Sequence, residues 1–206
     1  MHSRPTTHPH AQYERTETGA GRIDYRLSYV FFAITLILGY GLTAVTFLGT
    51  TSELVGWLSV IILAVALIAG IVTDVIASRR ADRSLTAPER RSAGMLKVAW
   101  ITAFVGLGLS ITGVTWTLQV AEDWGLQTLL WLAGSALVVG VMYIAEGIFR
   151  RDRLHYWLGT ALVLITGIAL LFPPFETLLI IAIGGGATYL AALILAQRSV
   201  HARLTD

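Results

Sequence analysis

The chain predicts an all-α integral membrane protein of six transmembrane helices, arranged as three same-orientation helical hairpins with both termini cytoplasmic. Three observations predict it. Apolar residues make up 55% of the 206, charged ones only 14%, and the charges are segregated from long apolar runs. A soluble domain of this size would carry ~25% charged residues. The fifteen basic residues all fall on one side of a six-pass reading. The third observation is a local pattern that recurs from hairpin to hairpin.

A polar stretch, 1–27, precedes the first span and has no apolar core of the signal-peptide kind. It reads as a disordered cytoplasmic tail. His2, His8 and His10 lie in it with a spacing that fits no structural zinc pattern. The spans are then Ser28–Gly49, Leu54–Ala77, Leu96–Leu118, Leu126–Ile148, His155–Phe172 and Glu176–Ala196. Each has roughly the ~20 residues needed to cross a bilayer. With no water in the hydrocarbon to satisfy the backbone, such spans must be helices. Residues 197–206 form a second cytoplasmic tail. The transmembrane domain is thus 28–196, with hairpins 28–77, 96–148 and 155–196.

Arg4, Arg15, Arg22 and Arg26 precede the first span. Arg79, Arg80, Arg83, Arg90, Arg91 and Lys97 lie between the second and third, and Arg150, Arg151 and Arg153 between the fourth and fifth. Arg198 and Arg203 follow the sixth. The other three connections carry Glu53, Glu122, Asp123 and Glu176 instead. Cytoplasmic loops retain Lys and Arg, so Arg79, Arg80, Arg150 and Arg151 serve as topology determinants of a cell-membrane protein. This explains the pI without nucleic acid as a partner. Tyr25, Tyr29, Trp100, Tyr156 and Trp157 read as an inner aromatic belt, and Trp57, Trp116, Trp124 and Trp131 as an outer one.

Each hairpin runs from a basic edge to an acidic turn and back. Gly113 precedes Glu122 by nine residues, as Gly167 precedes Glu176, each glycine following a threonine. The pattern suggests triplication of a two-helix unit about an axis along the membrane normal. Proline stays outside the spans, unlike the broken helices of many inverted-repeat transporters.

Asp74 and Glu146 are the acids inside spans and away from the outer turns, so they are candidates for ion, proton or ligand contact. Each lies about one helical turn from the basic edge. The bland alternative is that both pair with arginines and reach the headgroups, Glu146 with Arg150 at the favourable i,i+4 spacing. Gly184, Gly185 and Gly186 are either an unwound ligand-binding segment or a small-residue packing face. Gly134, Gly140 and Gly147 in the fourth span, and Gly106 and Gly113 in the third, suggest further close packing. Tyr40, Ser110, Thr112, Ser135, Tyr143, Thr166 and Tyr189 read as hydroxyls joining helices. No cysteine is present, and no histidine lies deep in a span beside a nucleophile. Catalytic residues, cofactors and metal ligands are therefore not expected.

The last hairpin reads Gly159-x6-Thr166-Gly167-x5-Pro173, followed by a Gly-rich return. It resembles the HdeD-type acid-resistance membrane proteins, best over 154–198. The first two hairpins depart from that pattern by lacking a turn proline. The resemblance implies a non-enzymatic inner-membrane protein linked to acid or envelope stress, and brings no site residues. Two other classes fit the same residues. One is a small channel or carrier, or a substrate-binding transporter subunit, lined by Asp74, Glu146 and the triple glycine. The other is an accessory subunit of a membrane complex. The partners expected are the lipid bilayer, and further copies of the chain or other membrane subunits.

Overall fold

The computed structural model describes residues 25–49, 52–83, 86–117 and 124–204, and every regular element among them is helical. They form α1 (Arg26–Thr46), α2 (Glu53–Asp82), α3 (Ala87–Thr117), α4 (Trp124–Arg150), α5 (Arg153–Ala169) and α6 (Pro174–Leu204). Five are long and apolar enough to cross a membrane. The exception, α5, has 17 residues. At ~1.5 Å per residue it falls slightly short of ~30 Å of hydrocarbon.

Several expected boundaries move. Tyr25, assigned to the N-terminal tail, is buried against the bundle, and the helix begins at the next residue. His2, His8 and His10 lie outside the described residues, as do Glu122 and Asp123. The charged connection after the second span is mostly helix: α2 runs on to Asp82, and α3 starts at Ala87 with Pro88 in its first turn. Proline fits there because the first turn has no intrahelical use for its missing N–H. The second tail is also helical, as α6 continues to Leu204.

The helices are unequally buried. Half of the apolar window of α1 is covered, against 11% for α2 and 11% for α3. The core cluster comes from α1, α4, α5 and α6. α2 packs mainly on α1, and α3 mainly on α4. The outer faces of these two helices present Trp57, Leu109 and Trp116 bare, as lipid contact would require. Trp57 and Trp116 thus agree with an interfacial belt. Tyr25 and Tyr29 do not, because both point into the bundle.

The closest pair is α4 with α5. A Cβ on Gly147 would stand 2.5 Å from the Tyr156 backbone nitrogen, and one on Gly159 would stand 2.6 Å from that of Ile144 and closer still to the Gly140 carbonyl oxygen. Small residues here let two backbones touch, the usual basis of helix association in lipid. A Cβ on Gly106 or Gly113, expected to pack likewise, would meet nothing within 4 Å among the described residues beyond its own helix backbone.

The connection between α4 and α5 is equally tight. Arg151 takes a left-handed conformation, φ 54°. Its N–H donates to the Ile148 carbonyl at 3.3 Å, and that of Asp152 to Gly147 at 2.8 Å. This is a Schellman termination of α4. Asp152 at once caps α5, accepting from the Leu154 N–H at 2.9 Å. At the far end Thr177 Oγ1 donates to the Ala169 and Phe172 carbonyls, both at 2.8 Å, joining the end of α5 to the start of α6.

The triple glycine is helical, not unwound. Residues Ile181–Gly185 form a π-turn that packs against a second π-turn in α1, Thr35–Tyr40. Sites for a Cβ on Gly184, Gly185 and Gly186 are occupied by Ile165, Leu36 and Ile37 respectively. The run is a notch that receives α1 and α5.

Gly159→Ala should lower stability by about 2–3 kcal/mol, since backbone atoms cannot move aside as a flexible side chain can. Gly106→Ala should be neutral or stabilising by under ~1 kcal/mol. Arg151→Gly should stabilise by about 1 kcal/mol by relieving the left-handed conformation. Thermal unfolding of the three variants in one detergent reads all of these shifts.

Candidate functional site

At the basic end, α2, α3 and α4 surround a cavity of about 540 Å³. Phe32, Trp100, Phe104 and Tyr143 wall it, and Asp74 and Glu146 both line it. Trp100 stacks on Phe104 with ring centroids 5.9 Å apart and meets Tyr143 edge-on at 6.2 Å. It therefore belongs to a cavity wall and not to the expected inner belt.

The two acids are in different states. Glu146 Oε1 accepts from the Tyr25 hydroxyl at 2.7 Å and from Arg150 Nε at 2.8 Å. The second bond is the i,i+4 pair that the sequence spacing suggests. Arg150 extends to Asp82 at 3.4 Å, and Asp82 also pairs with Lys97. This chain of charges joins α4, α2 and α3 across the basic end of the cavity. Asp74 has no place in it. Its Oδ1 is buried and has no hydrogen-bond partner among the described residues. The arginine pairing that would carry Asp74 to the headgroups is absent there.

Behind the cavity lies a cluster that the sequence did not single out. His155 is 1% exposed, with its ring 4.3 Å from that of Tyr25 and 5.2 Å from that of Tyr143. Its Nδ1 lies 3.2 Å from Asp152 Oδ2 and 3.3 Å from the Tyr29 hydroxyl, while Nε2 is buried without a partner among the described residues. Tyr189 completes the group, 6.1 Å from Tyr29 and 5.5 Å from Phe32. The legible signals were the spacing of Tyr25, Tyr29 and Phe32 on one face of α1, and a capping aspartate three residues before a histidine. Burial pushes the Tyr25 phenol up, and the Glu146 and Asp74 carboxylates add to this, so it stays a donor. Burial acts upward on Asp152 too. The hydrogen bond and charge of His155, with the Leu154 and His155 N–H groups, outweigh it and hold this carboxyl below its ordinary value.

The other candidates fall elsewhere. Gly184, Gly185 and Gly186 do not line this cavity. Arg79 is on its lining, while Arg80 and Arg151 lie on exposed surface. Tyr40 donates to the Leu132 carbonyl at 2.8 Å and touches Ser135 at 3.2 Å, joining α1 to α4 as expected of a buried hydroxyl. Ser110 and Thr112 are exposed on α3 and make no such helix-joining bond among the described residues. No protein-family model matches the chain, and comparison with curated proteins and with solved structures gives no match.

Asp152→Ala should cost about 1 kcal/mol at neutral pH through the lost cap. The native carboxyl titrates below its unfolded value of about 3.9. Its stabilising contribution is therefore complete above that value and is lost as pH falls through the folded one. The gap in denaturant midpoint between wild type and Asp152→Ala should narrow only in strong acid. A gap unchanged from pH 7 down to pH 2 would refute the assignment.

Proposed function

We propose that this chain is a membrane carrier for an organic cation, which binds at Asp74 in the cavity between α2, α3 and α4. The observation that carries the reading is the unpartnered Asp74 Oδ1 at an aromatic-walled cavity. A lone carboxylate in such surroundings is costly unless a proton or a cation neutralises it. Aromatic faces add cation–π attraction for a charge too poorly hydrated to prefer water. Two of the three cations on the lining are engaged elsewhere, Arg150 by Glu146 and Asp82 and Lys97 by Asp82, and the third, Arg79, forms no ion pair with Asp74.

In this reading the six helices are three hairpins of one orientation, with both termini cytoplasmic and the basic end of the cavity on that side. α2 and α3 pack mainly on different neighbours and are bridged at the Lys97–Asp82 pair. Separation of the two would open the cavity without disturbing the four-helix core. A proton and the organic cation compete for Asp74, within the field of Glu146 and Arg150 on α4, Lys97 on α3, Arg79 on its own helix, His155 on α5 and Tyr25. Inward release in exchange for a proton, or the reverse, follows from that competition. An acid- or envelope-stress role, as the HdeD-type resemblance implies, is compatible with such an exchanger.

Tetraphenylphosphonium binding to the purified protein in nanodiscs, measured by equilibrium dialysis, tests the reading. Asp74→Asn should weaken binding at least tenfold, and Asp74→Glu should retain part of it. Equal binding by wild type and a folded Asp74→Asn variant would refute the assignment. Co-purification of a stoichiometric second protein would favour the subunit reading instead.

A further inference from the structure

A second cavity, about 360 Å³, adjoins the first. Phe32, Leu67, Ile71, Phe104 and Val139 line both. The remaining walls of the second are mainly aliphatic, including Leu36, Leu63 and Leu162, and no charged residue lines it. Four hydroxyls reach its wall. Tyr189 is 1% exposed, its ring set among those of Tyr29, Phe32 and Tyr143, and the other three are already used. Thr35 Oγ1 donates to the Phe31 carbonyl at 2.9 Å, while Tyr40 and Ser135 donate to that of Leu132 at 2.8 Å and 2.9 Å. A guest there would meet apolar surface and would find little hydrogen bonding on offer. The two cavities together thus offer one carboxylate oxygen with no partner among the described residues, then an aromatic collar, then an apolar chamber.

From this succession we infer that the ligand is a single-chain cationic amphiphile, with its ammonium head at Asp74 and its alkyl tail passing Phe32 and Phe104 into the second chamber. The inference rests on the carrier reading above and adds the shape of the substrate to it. A compact cation would leave the second chamber without a guest, and a neutral lipid would leave Asp74 unpaired. A zwitterionic headgroup would bring a phosphate as well, toward Arg79. A simple alkylammonium meets the unpartnered group with nothing in excess. The tail is worth its transfer out of water, and each methylene contributes until the chamber is full.

The test uses n-alkyltrimethylammonium ions from methyl to dodecyl, with the full-length protein in nanodiscs. Free aqueous ligand is measured by equilibrium dialysis and empty discs are subtracted. Affinity should rise about threefold to fourfold per added methylene and then level off. Ala64→Phe and Val60→Phe, both on the second chamber's wall and on the partly open face of α2, should bring the plateau to shorter chains while leaving tetramethylammonium binding unchanged. The two variants provide a folded alternative if either one aggregates. Affinity independent of chain length, or a rise identical in wild type and both variants, would overturn the inference and leave the Asp74 reading standing. If no member of the series binds wild type, while the variants and wild type are folded by circular dichroism, the underlying carrier reading fails as well.

Discussion

The contact between α4 and α5 organises the rest of the bundle. Gly140, Gly147 and Gly159 bring two backbones together, and the Arg151–Asp152 turn leaves no slack between the helices. Two consequences follow. The first turn of α5 is drawn into the bundle, which buries His155 among Tyr25, Tyr29 and Tyr143. The last turns of α4 are held in register with it, so Tyr143 and Glu146 point toward α1 and the cavity. A larger separation of the helices would admit lipid or water at this place. The aromatic cluster and the orientation of Glu146 would then both lose their backing.

Charge accounting follows from that geometry. In low dielectric a carboxylate and a guanidinium that meet are each satisfied only if further donors or acceptors complete them. Glu146 has two donors, and Arg150 has two carboxylates. Asp82 is reached by both Arg150 and Lys97. Asp74 lies two to three helical turns of α2 from Asp82, on the lining of the same cavity, and is bypassed. A structural acid at this depth would be expected to share in the network. The proposed binding role of Asp74 rests on this difference, which separates it from Glu146 more sharply than depth along the helix does.

Helix number and placement were legible because they depend on length and hydropathy, which are properties of segments. The Glu146–Arg150 pair was legible because its spacing is local. What stayed hidden depends on which helices meet. His155 looks like an edge residue in the sequence, since it follows three arginines and an aspartate; only the α4–α5 contact makes it a core residue. Tyr25 looked like part of a tail for the same reason. Trp100 has the position of a belt residue, yet α3 turns it onto the cavity. That Asp74 Oδ1 has no partner among the described residues depends on every neighbour at once, and no spacing along α2 encodes it. The triple glycine left two readings open, and the fold takes the packing one. A run of three such residues permits unwinding, but the bulky Ile37, Leu36 and Ile165 that occupy the notch favour a π-turn that keeps the backbone bonded.

The repeat-like sequence pattern and the unequal burial of the helices bear on each other. Thr112-Gly113 and Thr166-Gly167 occupy matching places before an acidic residue nine positions on. Thr166 is wholly buried, while Thr112 is exposed. Equivalent positions in the pattern therefore sit in unlike surroundings: α5 is a core helix and α3 an outer one. An assembly of three equal hairpins would close symmetrically and distribute its burial evenly. Here α1, α4, α5 and α6 form the core, and α2 and α3 rest against its flank with the aromatic cavity between them. The inequality itself makes room for the cavity. It also places the two spans with the least buried surface, α2 and α3, among the helices that border it.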